Sequence, residues 1–171
     1  MIVCLDTHVL IWGIREEAES GQERMIQRTK AFLSELEREK HTVIIPAPVV
    51  MEFLLGVPLE RHPDVLESLQ KRFRVIPFDV VAASFASEIW LTQFKGRTIP
   101  DSWRLANPDI TKAMLKVDIQ LIGIALSRRA EVIYSNDTRM KKLAADRIKV
   151  EEVPVMTRQL AISEIAAASD L

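Results

Sequence analysis

Four acidic residues lie within apolar segments or at their ends, where a charged side chain needs a specific partner. They are Asp6 after residues 2–5, Glu52 within 49–55, Asp118 before 119–126 and Asp137 after 132–134. A buried carboxylate is costly unless it is paired or bound to a cation, so this repeated placement requires an explanation. A divalent metal ion shared by the four carboxylates would provide one, because Mg²⁺ and Mn²⁺ prefer oxygen ligands.

The chemistry open to such a site is the hydrolysis of phosphodiester bonds. That reaction needs a water activated near neutral pH and a neutralised transition state, and a divalent ion held by carboxylates supplies both. Without metal, two carboxylates about 4 Å apart repel by about 4 kcal/mol at an effective dielectric constant of about 20, so we expect raised carboxyl pKa values. The sequence contains no Cys/His cluster suited to zinc, no P-loop and no glycine-rich phosphate-binding loop.

Short apolar segments alternate with helical patterns along the chain, and these elements must position the acids. Strands are predicted at 2–5, 42–45, 73–77, 131–134 and 148–153. Helices are predicted from Thr7 through Trp12, around Glu52, from Pro63, at 80–94, at 118–129 and from Thr138. This alternation predicts an α/β fold with a parallel sheet covered on both faces. Ligands in such folds bind beyond the carboxyl ends of the strands, so the four acids could meet at one edge.

Three segments depart from the regular alternation. Residues 16–40 are highly charged, with apolar residues at helical spacing, and this pattern predicts an exposed helical arm. Residues 96–108 hold a glycine, two prolines and Trp103 among polar residues, which predicts a long loop. Residues 154–171 are expected to form a C-terminal tail. With these segments included, residues 1–171 are interpreted as a single domain.

Composition places few limits on function. The net charge of −1 gives no bulk attraction to polyanions, so global charge neither supports nor excludes RNA as a substrate. The single cysteine, Cys4, excludes an intramolecular disulfide and fits a reducing compartment. We expect no export signal at the N-terminus, and no apolar segment approaches the ~20 residues needed to cross a bilayer. A cytoplasmic protein without membrane contact is therefore expected.

The segment LDTHVLIW at 5–12 resembles the first motif of the PIN-domain family, and especially of the VapC-type toxin ribonucleases. Three further segments follow in the order found in that family: VMEF at 50–53, DIQLIGIA at 118–125 and YSND at 134–137. The acids of the last two motifs are separated by a predicted helix and strand, as in the family. Together the four segments span most of the chain.

This resemblance implies a three-layer α/β/α fold with a central, mostly parallel sheet. It also implies an acidic pocket that binds Mg²⁺ or Mn²⁺, cleavage of RNA, a homodimer and an inhibitory antitoxin. By position, Asp6, Glu52, Asp118 and Asp137 would be the catalytic, metal-binding quartet. Thr7 and Ser135 would be supporting hydroxyl groups. Ser135 or Asn136 could also orient a water or a phosphate oxygen, since both are polar residues beside Asp137.

Structural interpretations of the same residues stay open. Asp6, Asp118 and Asp137 could each cap a helix, and Glu52 could be an acid favoured by the dipole of its helix. Seven basic residues near the motifs could contact an RNA backbone or form ordinary solvated helix faces. They are Lys112, Lys116, Arg128, Arg129, Arg139, Lys141 and Lys142.

Three ring-bearing side chains are interpreted as structural. His8 lies beside the acids and is expected to be a hydrogen-bonded structural residue rather than a phosphate contact. Trp12 and Trp103 are expected to pack into the core rather than to stack on bases.

Two functions other than RNA cleavage remain to be compared with the nuclease hypothesis. The first is a PIN-like scaffold that binds RNA or a protein partner without cutting, with the acids retained for stability. Metal-dependent turnover would separate that scaffold from a nuclease. The second is a different metal-dependent phosphohydrolase, but the chain lacks the Asp-x-Asp opening expected of phosphatases that form an aspartyl-phosphate.

Overall fold

A parallel sheet forms the centre of the protein in the computed structural model, which describes residues 1–94, 98–106 and 108–156. Its five strands within these ranges are β1 (Ile2–Leu5), β2 (Thr42–Pro46), β3 (Arg74–Ile76), β4 (Val132–Tyr134) and β5 (Lys149–Glu151). Their order is β3-β2-β1-β4-β5, and every neighbouring pair is parallel. The central strand β1 is buried on both faces, with Val3, Cys4 and Leu5 inaccessible to solvent. Short, wholly apolar strands of this kind are typical of a sheet covered on both sides.

Helices cover both faces of the sheet. They are α1 (Thr7–Leu10), α2 (Arg24–Arg38), α3 (Ala47–Leu54), α4 (His62–Arg72), α5 (Val80–Phe94), α6 (Asp101–Ala106), α7 (Lys112–Ser127) and α8 (Thr138–Ala144). A π-helical turn, Ile11–Arg15, follows α1, and a 3₁₀ turn, Leu59–Arg61, precedes α4. Because crossover connections are right-handed, α1–α4 and α5–α8 cover opposite faces. The predicted three-layer α/β/α architecture is confirmed, with a sheet that is parallel throughout.

The strand order reverses between β1 and β4. The chain leaves β1 toward β2 and β3, and then crosses the sheet to enter β4 on the other side of β1. In doubly wound sheets ligands bind in the crevice beyond the strand ends at this reversal. Asp6 follows β1 directly, and its amide nitrogen donates a hydrogen bond to the carbonyl oxygen of Tyr134, the last residue of β4 (3.1 Å). The reversal therefore brings the first and last acidic motifs to neighbouring positions.

The segment 16–40 does not form an exposed arm. Its helix is α2, which spans only 24–38 and buries an apolar stripe against the rest of the protein. The ring of Phe32 lies 4.5 Å from that of Tyr134, edge to face, so the helix is fixed to the sheet itself. The charged residues that suggested an arm occupy the opposite face of an ordinary amphipathic helix.

The segment predicted as a loop at 96–108 contains helix α6. Trp103, on this helix, is buried, and its ring packs edge to face against Phe94 at 5.3 Å. The ammonium of Lys142 lies 4.2 Å from the centre of the same ring, a cation–π contact. The packing interpretation of Trp103 is thus confirmed, as is that of Trp12, which is 1% exposed. Residues 95–97 and 107, and the part of the predicted tail at 157–171, lie outside the described residues.

Helices α5 and α7 pack at close range through a glycine. A Cβ atom added at Gly123 of α7 would lie 2.6 Å from the carbonyl oxygen of Ala82 and 3.2 Å from the Cβ of Ala86, both on α5. The two helices touch here almost backbone to backbone. Although both are rich in apolar residues, no helix in the described part of the chain is long and apolar enough to cross a membrane.

Candidate active site

Asp6 lies just beyond the carboxyl end of β1 and next to the end of β4, at the reversal of strand order where doubly wound sheets have their ligand-binding crevice. It is 7% exposed, and the end of β1 holds it in an extended conformation just before α1. Its Oδ1 accepts a hydrogen bond from the backbone nitrogen of Thr7 (2.7 Å), and its Oδ2 accepts one from the hydroxyl of Ser135 (2.5 Å). Burial raises the pKa of Asp6, and the nearby Glu52 adds to this rise, although the hydrogen bonds from Ser135 and Thr7 oppose it.

The hydroxyl groups of Thr7 and Ser135 each hold an acid. Thr7 Oγ1 donates to Oε2 of Glu52 (2.5 Å), which connects the start of α1 to α3. Ser135 Oγ donates to Asp6 and also accepts from the backbone nitrogen of Asp137 (3.0 Å). Both residues are buried, so these bonds fix the carboxylates of Asp6 and Glu52 on rigid elements.

Asp118 does not cap a helix. The N-cap of α7 is Thr111, whose hydroxyl accepts from the backbone nitrogen of Met114 (3.1 Å), so Asp118 lies inside the helix rather than at its start. Its side chain is 15% exposed, and its Oδ2 is buried with no hydrogen-bond partner among the residues that the structure describes. Burial raises the pKa of Asp118 to about 7, opposed by Arg139 and reinforced by Asp137, Asp6 and Glu52.

Asp137 has a counter-ion of its own. It caps α8 by accepting a hydrogen bond from the backbone nitrogen of Arg139 (2.8 Å). The guanidinium of the same arginine folds back onto the carboxylate, with Nε 3.2 Å from Oδ1 and 3.0 Å from Oδ2 and with Nη2 in contact with Oδ2. Burial alone would raise the pKa of Asp137, but these bonds outweigh it and lower the pKa. Nη2 of Arg139 also lies 3.9 Å from Oδ2 of Asp118.

His8 and Asn136 border the acids without joining them. His8 is exposed, its ring lies 5.6 Å from that of Trp12, and its charge lowers the pKa values of Asp6 and Asp137. Its backbone carbonyl accepts from Ile11, but its ring makes no hydrogen bond with the described residues, which does not fit the interpretation as a hydrogen-bonded structural residue. Asn136 is exposed, and within the same part of the chain its side chain makes no hydrogen bond to the acids.

The four carboxylates are suitable ligands for a hard divalent cation such as Mg²⁺, but in the described structure they are not arranged around one point. No three His, Cys, Asp or Glu side chains in the described residues are arranged to hold a metal ion. The carboxylates are nevertheless close enough for Asp137, Asp6 and Glu52 to raise the pKa of Asp118. The buried Oδ2 of Asp118, which accepts no hydrogen bond from the described residues, fits a ligand atom, since oxygen is the preferred donor for Mg²⁺ and Mn²⁺. Like charges repel, so without a cation the four are expected to stay apart.

Arg139 is the residue whose place in the site the sequence interpretation missed. Its position in the sequence indicates only a basic residue that could contact RNA or form a solvated helix face. The available signal is its position two residues after a helix-capping aspartate, within the first turn of α8, from which its side chain can fold back onto the cap. Lys142, from the same basic group, lies instead over Trp103.

The pKa of Asp118 predicts how the stability of the metal-free protein depends on pH. In the unfolded chain this carboxyl loses its proton near its ordinary pKa of 3.8, whereas in the folded protein it keeps the proton until about pH 7. The folded state therefore binds more protons between these values, and stability falls as pH rises through this window. Between pH 5 and 8 we expect urea unfolding in EDTA to show a loss of about 2–3 kcal/mol. The variant D118N should lose less, and equal losses in both proteins would contradict the assignment.

The chain is similar to known proteins over most of its length. A family model described as "PIN domain" matches residues 3–146. The crystal structure of VapBC2 from Rickettsia felis bound to a DNA fragment from its promoter is similar with a TM-score of 0.59 at 16% identity, over 90% of this chain and 100% of that chain. DNA-bound VapBC from Salmonella typhimurium gives 0.57 at 20% identity, over 90% and 99%. No curated protein matches the sequence of the chain.

Proposed function

Because the chain belongs to the PIN-domain family, we propose that it is a metal-dependent endoribonuclease that hydrolyses phosphodiester bonds of RNA. The observation that carries this proposal is the Oδ2 of Asp118, which is buried and accepts no hydrogen bond within the described residues, although Asp6, Glu52 and Asp137 lie close enough to raise the pKa of its carboxyl group. Purely structural carboxylates are normally satisfied by hydrogen bonds or ion pairs. The Oδ2 of Asp118 accepts no hydrogen bond from the described residues and has only the Nη2 of Arg139 nearby, at 3.9 Å, so it is better explained as the ligand of a cation.

Asp6 and Asp137 would bind Mg²⁺ or Mn²⁺ directly, with Glu52 and Asp118 completing the shell. When bound, the ion supplies Lewis-acid chemistry that activates water and offsets the charge of the phosphate. The protein supplies the positioning. Ser135 holds Oδ2 of Asp6 and Thr7 holds Oε2 of Glu52, and each carboxylate keeps further lone pairs free for a ligand.

We further propose that this nuclease is the toxin of a toxin–antitoxin pair, acting in the cytoplasm as a homodimer. The support is the likeness of its fold to chains in the two VapBC structures, both of which are bound to DNA. A small neighbouring reading frame whose product copurifies with the chain would support the antitoxin. Light scattering of the purified protein would test the dimer.

The first experiment is cleavage of an end-labelled, mixed RNA pool in Mg²⁺, Mn²⁺ or EDTA. We expect cutting with either metal, none in EDTA, and recovery when metal is restored. The variant E52Q, purified in parallel, controls for contaminating ribonucleases and should cut poorly under every condition. Absence of cutting by the wild type in both metals would contradict the proposal.

A non-cleaving scaffold is the second candidate, and one observation favours it. Asp137 is already neutralised by Arg139, as expected for an acid with a structural role. A scaffold would bind the RNA pool, or a protein partner, equally well with metal or EDTA and leave the RNA intact. Gel-shift measurements on the same samples distinguish the two functions.

A further inference from the structure

We propose that Arg139 is an internal counter-ion of the acidic crevice, which a divalent metal ion must displace from Asp137, so that this arginine weakens and sets the metal affinity of the site. The inference rests on the proposed function, because it assumes that Asp137 is a metal ligand. It goes further by assigning a competing role to a residue outside the acidic quartet.

The guanidinium of Arg139 contacts the same carboxylates that would bind the metal ion. Its guanidinium donates to both oxygens of Asp137, and Nη2 lies 3.9 Å from the buried Oδ2 of Asp118. One positive charge thus faces two of the four acids. The guanidinium is itself largely shielded from water, with 22% of its side chain exposed, so these electrostatic contacts are only weakly screened.

Asp137 cannot bind a metal ion while it is paired with Arg139, for two reasons. A guanidinium that donates to both oxygens of Asp137 occupies the lone pairs that a metal ion would use. A divalent cation between Asp137 and Asp118 would also be repelled by a guanidinium held at the same two groups. The absence of a ready-made ligand cluster among the described residues agrees with a site that must first exchange its cation.

The displaced side chain has space to enter. An open depression of about 370 Å³ lies beside Asp137 and Arg139 and is lined also by Pro108, Asp109, Ile110, Met114 and Thr138. The apolar members offer a surface for the aliphatic part of the arginine, and Asp109 provides an alternative negative charge. The backbone nitrogen of Arg139 caps α8 independently of the guanidinium, so the helix does not have to move.

The test is the affinity for Mn²⁺ and Mg²⁺, measured by isothermal titration calorimetry on wild type, R139M and R139K. We expect R139M to bind about tenfold more tightly than wild type, a gain of about 1.4 kcal/mol. R139K should fall between them, since an ammonium keeps the charge but loses the two-pronged geometry. R128M is the matched control, because Arg128 forms an ion pair with Asp79 (2.6 Å) and lies ten residues from Asp118 on the α7 side of the sheet.

The outcomes separate this inference from the proposed function. Tighter binding in R139M with unchanged binding in R128M supports the exchange of cations. Equal or weaker binding in R139M overturns it, and would mean that Arg139 positions Asp137 instead of competing for it, while the metal site itself stands. Equal gains in R139M and R128M would reduce the effect to net charge and overturn it as well. Lack of metal binding in all variants would overturn the proposed metal site and the inference with it.

Discussion

Replacing Asp6 with asparagine is expected to reduce the rate of RNA cleavage at least about a hundredfold, equivalent to about 2.7 kcal/mol of transition-state stabilisation. The amide retains an oxygen to accept from Thr7 and can donate to Ser135, so the local hydrogen bonds survive. What is lost is a negative charge close to Glu52 and Asp118. Initial rates on a defined labelled RNA in Mn²⁺ measure the effect.

The stability of D6N distinguishes a lost ligand from a damaged fold. Because burial already raises the pKa of Asp6, a neutral side chain should leave the metal-free melting temperature unchanged or higher. The matched control is D79N, which removes a carboxylate that accepts bonds from Ala82 and Arg128. Asp79 lies outside the acidic quartet, so its variant should keep its activity. Full activity in D6N would remove Asp6 from the proposed site.

Replacing Gly123 with leucine is expected to lower the free energy of unfolding by about 3 kcal/mol. Even a Cβ atom at this position would meet the backbone carbonyl of Ala82 at 2.6 Å, and a backbone atom cannot rotate away as a side chain can. Helices α5 and α7 would have to separate. For a chain of this length that loss corresponds to a fall in melting temperature of about 6–12 °C, measurable by differential scanning calorimetry.

The control for this substitution is A113L on the same helix. Ala113 is exposed, and leucine is nearly as good a helix former as alanine, so its stability should change by less than about 0.5 kcal/mol. A small effect in G123L would mean that α5 and α7 can shift at little cost. Since α7 carries Asp118, such a shift should then appear as altered metal affinity.

Most of the fold could be predicted because its signals are local and repeated. Each buried strand is a short apolar segment, and their alternation with helices indicates a parallel sheet. The two wrong predictions, for residues 16–40 and 96–108, have a common cause: in both segments tertiary contacts determine the structure. The charges of 16–40 hid the buried stripe of α2, and Trp103 anchors α6 in a segment whose glycine and prolines suggested a loop.

The composition of the candidate site was predictable, but its internal bonding was not. The strand ends and the order of the motifs predict that the four acids lie near one another. The prediction that Thr7 and Ser135 support acids agrees with the hydrogen bonds that their hydroxyl groups donate to Glu52 and Asp6. Sequence spacing could not show that Arg139 folds back onto Asp137, because an arginine in a first helical turn can equally extend into solvent. Nor could it place Asp118 inside α7, which begins earlier, at the cap formed by Thr111.

The reversal of strand order between β1 and β4 also determines when, during synthesis, all four acids are present. The elements before the reversal carry Asp6 and Glu52, whereas Asp118 and Asp137 belong to those after it. Asp137 is made 85 residues after Glu52, which at about 5–20 residues per second is a delay of about 4–17 s. For that time a growing chain holds only half of the quartet, so the proposed metal site cannot form until the segment after the reversal has been made.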